Sequence, residues 1–292
     1  MGPVRDPGAD PLAWQPSERE LERRALRRRL RLRSLLIATT AVVVVFTVLG
    51  LVVVSSPGWP RVKELFFNWD DARASFPEIW HGFWLNVQLF LICEVCILVL
   101  SLAVALARTA RSPWLAPVRV TAVVYTDLFR GIPTILLILM CGFGMPALQL
   151  QGLPNSPFFW SGVALTLSYG AYVAEVFRAG IESIHPSQVA SASALGLSRG
   201  QAMRFVVVPQ AVRRVVPPLL NDFVSLQKDT ALVSVVGVFD AVFAARDYAS
   251  YNFNYTSLVV VAMFFVVLTV PLARFTDWLQ RRYAERERAG AL

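Results

Sequence analysis

Two pairs of charged residues lie inside long apolar stretches of this sequence. Asp127 and Arg130 are three residues apart in one stretch, and Lys228 and Asp229 are neighbours in another. Because a charge at membrane depth is costly, such residues usually face other protein groups or a water-filled cavity. We therefore treat all four as candidates for contact with a polar solute that carries both signs of charge. The alternative is that they pair with each other or with facing helices and only hold the fold together.

Glu175 and Arg178 form another pair with three-residue spacing, near the end of a further apolar stretch. This position suits a gate or a contact with the loop that follows. A pair of interfacial side chains that reach back to the membrane surface explains the same spacing.

The sequence predicts neither a metal site nor a catalytic residue. Cys93 and Cys96 form a CxxC pair, but zinc would need two more ligands, and the only histidines, His81 and His185, flank different segments. We expect these two cysteines and Cys141 to be ordinary buried thiols. No nucleophile with a base is recognisable, and the GxxxxGK[ST] phosphate loop is absent, so ATP binding by that route is not expected.

The elements that must position these residues are membrane helices. The chain is 55% hydrophobic with a mean hydropathy of +0.53, and a spanning helix needs about 20 mostly apolar residues. The sequence predicts an all-α integral membrane protein with six transmembrane helices, at residues 35–54, 83–107, 118–145, 158–177, 216–239 and 257–272. Within the third, Gly131 and Pro133 predict a kink, because proline removes a helical hydrogen bond and frees backbone carbonyls.

Arginine placement sets the expected orientation. The cluster at 23–33 directly precedes the first span, and cytoplasmic loops carry an excess of positive charge. Threading six spans from there puts both termini and all the later arginine clusters on the cytoplasmic side: Arg108, Arg111, Arg119, Arg199, Arg204, Arg213, Arg214, Arg281 and Arg282. The net charge of +8 therefore indicates orientation and contact with membrane lipid, not nucleic acid.

The longest loop on that side contains VASASALGLSRGQAMRFVVVPQA, which starts at Val189. Gln188 to Leu195 are mostly small, helix-compatible residues, and Gly196 can adopt the positive φ that ends a helix. This pattern predicts a short helix with a smooth face that could sit in a groove on another protein. A plain surface helix is the alternative.

The loop resembles the signature of the membrane subunits of ABC importers. In that signature a Glu-Ala-Ala triplet is followed after three residues by Gly, and after nine more by Ile-x-Leu-Pro. The corresponding residues here are Ala190, Ser191, Ala192, Gly196 and Pro209. The Glu is replaced by Ala190, which removes any charged contact made by that Glu, but the helix, turn and proline are kept.

Four further stretches are similar to the same family in order and distance. YTDLFRGIP, at 125–133, resembles a block typical of its polar amino acid subfamily, with Asp127 where Glu is usual. HGFWLNVQLFL begins at His81, SYGAYVAEVFRAGI at Ser168, and PPLLNDFVSLQKDTALVSVVGV at Pro217. The likeness covers residues 81–282 and leaves out the first 80 residues with their extra span.

The resemblance implies a type I importer with a five-helix core, located in a bacterial plasma membrane. This chain would be its permease subunit, paired with a second, identical or related, permease subunit. Its other partners would be two cytoplasmic ABC ATPase subunits, which use the ATP, and an extracytoplasmic amino acid-binding protein. The five signature residues would contact the ATPase, and Asp127, Arg130, Lys228 and Asp229 would line the translocation pathway.

The expected organisation has five parts. A basic, partly disordered tail (1–34) precedes the extra helix (35–54) and an extracytoplasmic loop (55–80). The importer domain (81–282) follows, with its coupling loop at 178–215 and a short cytoplasmic tail (283–292). Two rival functions are an ion-coupled secondary carrier, which does not explain the loop signature, and a non-transporting scaffold, which does not explain the charges within the spans.

Overall fold

The computed structural model describes residues 17–109 and 112–289, and helices form almost all of this part of the chain. The helices are α1 Glu18–Val54, α2 Trp59–Phe66, α3 Trp69–Thr109, α4 Ala116–Gly131, α5 Thr134–Ala147, α6 Pro157–Glu182, α7 Pro186–Ala194, α8 Arg199–Ala202, α9 Val208–Asp229, α10 Ala241–Asn252 and α11 Thr256–Ala289. The other helical segments are short: two 3-10 helices, Pro113–Leu115 and Thr230–Val236, and a π-helical turn, Met203–Val207. The all-α prediction is confirmed.

The chain divides into two units after Val62. In the first unit, α1 is capped by the Ser17 side chain and has no buried residue. Since α1 begins at Glu18, the basic segment is helical; the rest of the predicted disordered tail, residues 1–16, lies outside the described residues. At the other end, α11 continues through most of the predicted tail to Ala289, and residues 290–292 lie outside the described residues.

Within the described part of the chain, three helices are long and apolar enough to cross a membrane, and a bent pair of helices brings the number to four at most. They include α1, α3 and α11, and the bent pair is α4 with α5. The count of six spans therefore stays a prediction. The predicted fourth span lies within α6, but the predicted fifth does not form one regular helix, because α9 ends at Asp229 and the chain continues as a 3-10 helix.

The predicted kink in the third span is a complete break. Gly131 ends α4, Ile132 is extended (φ −98°, ψ 128°), and Pro133 precedes α5. The two helices are bent by 102°. A proline cannot donate a backbone hydrogen bond, and the residue before it is biased away from helix, so the break falls where these two effects coincide.

The core of the second unit is built around α3 and α6. Apolar side chains from α3, α5, α6, α9 and the 3-10 helix after α9 form its main cluster, which includes Leu89, Ile97, Ile138, Leu165, Leu226 and Val233. Cys93 belongs to this cluster and Cys141 is half-buried, but Cys96 is exposed. The expectation that all three thiols are buried is therefore wrong for Cys96, which is on the outer face of α3.

A buried polar contact joins α3 to the start of α10. The Asn86 amide donates to the Thr230 carbonyl (3.1 Å) and the Asp240 carboxylate (3.0 Å), and its oxygen accepts from the Ala241 amide (3.1 Å). One turn earlier Gly82 packs so closely that an added Cβ would lie 2.4 Å from the Asp240 carbonyl carbon. Buried polar groups need such partners, since an unpaired one costs about 1–3 kcal/mol.

The variant Asn86→Ala should lower the free energy of unfolding by about 3 kcal/mol, because it removes one hydrogen-bond partner from each of three buried groups: the Asp240 carboxylate, the Thr230 carbonyl and the Ala241 amide. Titration of the purified protein with a denaturing detergent measures this. Asn155→Ala, at an exposed loop position, is the control and should change stability by less than about 0.5 kcal/mol. Equal effects of the two variants would contradict the assigned role of Asn86.

Candidate functional site

The predicted short helix in the large loop is α7, and it has a capped start and end. His185 Nδ1 accepts from the Ser187 amide (3.3 Å) at its N-terminus. At its C-terminus the Leu197 amide donates to the Ala192 carbonyl (3.1 Å) and the Gly196 amide to the Ser193 carbonyl (3.0 Å). This is a Schellman arrangement, which requires the left-handed conformation that Gly196 adopts (φ +83°). The expected helix and its glycine stop are confirmed.

The two sides of α7 differ. Ala190 and Ser191 are exposed, whereas Ala192 is 3% exposed. Helix α7 packs against the π-helical turn, next to a small apolar cluster of Ile184, Val207 and Ala211. Ala192 therefore belongs to the packed side, so only part of the predicted triplet is available to another protein.

Leu195 lies on the exposed side and was missed by the sequence reasoning. Its side chain is 84% exposed directly before Gly196. A large apolar residue at the end of a helix of small residues is the signal that could have identified it. Such a side chain on a protruding helix is suited to a pocket in a partner.

Pro209 is not part of α7. It lies in the first turn of α9, where it is exposed and lines a surface groove of about 360 Å³ together with Val208, Val212, Arg213 and Tyr283. Proline fits this position because the first helical residues have no intrahelical partner for their amides.

Glu175 and Arg178 belong to a larger ionic network. Glu175 pairs with Arg178 and also with Arg108 of α3, whose Nη1 lies 2.7 Å from Glu175 Oε2. The same Nη1 donates to the Thr126 hydroxyl of α4 (2.9 Å), and Arg178 also pairs with Glu182. The side chains of Arg108, Glu175 and Arg178 are 14%, 22% and 26% exposed, so all three are largely buried within the subunit. It ties the ends of α3, α4 and α6 together just before α7.

Asp127 and Arg130 do not pair with each other among the described residues, although their spacing allowed it. Both are exposed on the subunit. The Arg130 guanidinium lies 5.6 Å from the centre of the Tyr172 ring, and the Tyr172 hydroxyl donates to the Arg130 carbonyl (3.1 Å). The Tyr172 side chain of α6 thus gives a hydrogen-bond partner to the Arg130 carbonyl at the end of α4.

Lys228 and Asp229 occupy the last turn of α9 and have different surroundings. Lys228 is exposed, whereas Asp229 is half-buried and accepts a hydrogen bond from the Tyr169 hydroxyl (2.7 Å). Tyr169 and Tyr172 are three residues apart on α6 and therefore lie on the same face. Helix α6 thus brings the Arg130 and Asp229 regions next to each other.

Two further carboxylates in the predicted spans were missed. Glu94 of α3 and Asp222 of α9 are half-buried, and the two carboxyl groups lie near each other. Both lie in predicted spans, at 83–107 and 216–239, so the rule that selected Asp127 would have found them. Asp222 and Asp229 are seven residues apart and share a face of α9.

Comparison with known proteins identifies the family. Residues 103–285, which are well over half of the chain, match the protein family described as the binding-protein-dependent transport system inner membrane component. The chain belongs to this family. The matched range includes α4 to α10 and most of α11, and therefore contains the α7 loop and the whole ionic network.

Similar proteins cover most of the chain. The arginine transport system permease protein of Bacillus subtilis is 30% identical over 216 residues, or 73% of this chain and 96% of the relative. The glutamine transport system permease protein of Escherichia coli K12 is 30% identical over 217 residues, or 74% and 97%. An amino acid ABC transporter whose crystal structure contains histidines is 28% identical with a TM-score of 0.64, covering 71% of this chain and 94% of that one.

The ionic network predicts a measurable coupling. In a double-mutant cycle, Arg108→Gln and Glu175→Gln should show an interaction energy of about 1–3 kcal/mol, because the pair is largely buried and removal of Glu175 leaves Arg108 with only the Thr126 hydroxyl among the described residues. The unfolding free energies come from the same detergent titration. The pair Arg274–Asp277, at 3.8 Å with 78% and 49% exposed side chains, is the control and should show an interaction near zero. Indistinguishable energies for the two pairs would contradict the network.

Proposed function

We propose that this chain is the permease subunit of an ATP-driven amino acid importer. The observation that carries the proposal is the family match together with relatives that are permeases for arginine and glutamine transport. The geometry of α7 adds to it, since a protruding, capped helix with an exposed leucine is suited to contact with a second protein.

Partner subunits, and not this chain, bind and hydrolyse the ATP that drives transport. The sequence has no GxxxxGK[ST] loop, so ATP binding and hydrolysis belong to two cytoplasmic ABC ATPase subunits. The chain itself is no enzyme, and it holds no cofactor. A second permease subunit, identical or related, completes the channel, and an extracytoplasmic amino acid-binding protein delivers the substrate.

Helix α7 couples the ATPase to the membrane helices. Ala190, Ser191 and Leu195 form its exposed contact side, and Ala192 and Gly196 maintain its shape. Pro209 lies in the first turn of α9, where the loop ends. When the ATPase subunits close, α7 moves together with the end of α6. Because Glu175 ties α6 to Arg108 of α3, and Arg108 also donates to Thr126 of α4, the movement reaches both helices and the bend beside Arg130. Glu175 and Arg178 thus act as a gate at the cytoplasmic end.

The translocation pathway runs past the charged residues of α4 and α9. An amino acid carries an ammonium and a carboxylate, so Asp127 and Asp229 suit the first, and Arg130 and Lys228 the second. The exposure of Asp127, Arg130 and Lys228 on the single subunit supports their facing a cavity or the second permease subunit. Glu94 and Asp222 extend the acidic side of this pathway.

The location and topology follow the positive-inside rule. The chain lies in a bacterial inner membrane as a multi-pass protein with both termini cytoplasmic. Its importer domain covers 81–282, with the coupling loop at 178–215 and the extra helix at 35–54 ahead of it; the tails (1–34 and 283–292) are cytoplasmic, and 55–80 is extracytoplasmic.

Transport by the reconstituted importer tests the function. Amino acid uptake into proteoliposomes that contain this chain, its ATPase and its binding protein should require ATP, and should stop when the phosphate-loop lysine of the ATPase is replaced. Uptake that continues without ATP hydrolysis but follows an ion gradient would point to a secondary carrier. No uptake under any condition would favour a scaffold.

Two glycine variants test the coupling role of α7. Gly196→Val should lower uptake at least about tenfold, because a β-branched residue at φ +83° costs about 1–3 kcal/mol and disrupts the end of α7. Gly200→Val is the matched control, since Gly200 lies in the same loop without a positive φ and with no atom near its added Cβ. Membrane insertion should be normal for both variants. Normal uptake by Gly196→Val would contradict the coupling role.

A further inference from the structure

A groove in the second unit is lined by none of the residues that the proposed function uses. It has a volume of about 720 Å³ and is lined by Phe66, Phe67, Asn68, Trp69, Ala72, Arg73, Phe76, Pro77, Thr256, Val259, Val260, Met263 and Phe264. This volume is within the usual range for small-molecule sites, which are also mostly apolar with a few polar groups. The lining comes from the end of α2 and the first turns of α3 and α11.

Backbone contacts close one end of this groove. The Tyr255 amide donates to the Leu65 carbonyl (2.7 Å), and the Asn68 amide donates to the Thr256 hydroxyl (3.1 Å). The Phe66 and Tyr255 rings lie 5.3 Å apart beside them. The groove is therefore held by hydrogen bonds between α2, α3 and α11 at this end.

The walls of the groove differ in their relation to the predicted membrane. The α11 wall, from Val259 to Phe264, lies within the predicted span at 257–272, whereas the α3 wall, from Trp69 to Pro77, precedes the predicted span at 83–107. The groove thus crosses the boundary between headgroups and hydrocarbon on the extracytoplasmic side. Exposed aromatic residues such as Trp69, with 79% of its surface exposed, are typical of this level.

Arg73 is the one charged residue among the described lining residues. It is exposed, and within residues 17–109 and 112–289 it forms no ion pair. Trp69 and Phe76 lie one turn to either side of it on the same face of α3. The nearby carboxylate of Asp71 accepts a hydrogen bond from the Tyr248 hydroxyl (2.8 Å) instead. The groove therefore combines a long apolar wall with one available cation.

We propose that the groove binds an anionic phospholipid of the outer leaflet, with its phosphate at Arg73 and an acyl chain along Val259, Val260 and Met263. A guanidinium matches a phosphate in charge and in hydrogen-bond geometry. The apolar wall of α11 gains free energy from burial of the chain. The site relies on the topology given above but not on transport, so a failed uptake assay leaves it unaffected.

Photoreactive lipids test the site on the full-length chain in nanodiscs. Phosphatidylglycerol and phosphatidylcholine, each with a diazirine in the acyl chain, are compared by mapping the labelled peptides with mass spectrometry. Labelling of residues 256–264 should be about fivefold stronger with phosphatidylglycerol, since one arginine near the surface contributes about 1 kcal/mol towards an anionic lipid. Arg73→Gln should remove this preference. Arg246→Gln, which replaces an exposed arginine of α10 outside the groove, should keep it.

Equal labelling by the two lipids, or a preference that survives in Arg73→Gln, would overturn the proposal and indicate ordinary surrounding lipid. In a second arm, photoreactive methionine at position 263 reports what lies in the groove. An adduct with phosphatidylglycerol supports the site, whereas an adduct with a peptide of this chain or of another protein overturns it.

Discussion

The close approach of α6 and α9 is the constraint on which the proposed mechanism depends. An added Cβ on Gly180 would lie 2.1 Å from Val215 Cγ2, so only glycine allows these helices to pack as they do. Arg214 donates to the Ser183 carbonyl beside this point, and Ile184, Val207 and Ala211 pack behind α7. Both ends of the loop are therefore fixed to the helices that they leave and enter. We therefore expect a force on α7 to move α6 with it, because closely packed protein interiors transmit strain.

Helix α6 also contacts charged residues of α3, α4 and α9. Glu175, itself paired with Arg178, connects it to Arg108. The Tyr169 hydroxyl contacts Asp229, and the Tyr172 hydroxyl contacts the Arg130 carbonyl. These contacts lie along one helix between the loop and the bend after α4. The same helix thus joins the proposed coupling surface to the proposed pathway, which explains how two distant regions could respond together.

Local features of this protein could be predicted from its sequence, and long-range contacts could not. The α7 helix, its stop at Gly196 and the break near Pro133 follow from the conformations that glycine and proline allow, so the residues themselves were sufficient.

The partner of Glu175 could not be found in this way, because Arg108 is 67 residues away and helix spacing predicts only neighbours within two turns. The end of α9 at Asp229 was also missed, since the apolar stretch continues without a glycine until Gly237. Glu94 and Asp222 were omitted although the rule for charged residues in spans includes them.

The central claim is that the exposed side of α7 contacts the ATPase and moves with it. Replacing Leu195 by cysteine, in a chain whose Cys93, Cys96 and Cys141 are changed to serine or alanine, allows crosslinking to cysteines placed in the groove of the ATPase subunit. The account predicts efficient crosslinking at this position and none from a cysteine at exposed Leu153, with a yield that depends on bound nucleotide. No crosslink from position 195 in an assembled, transporting complex would contradict the account.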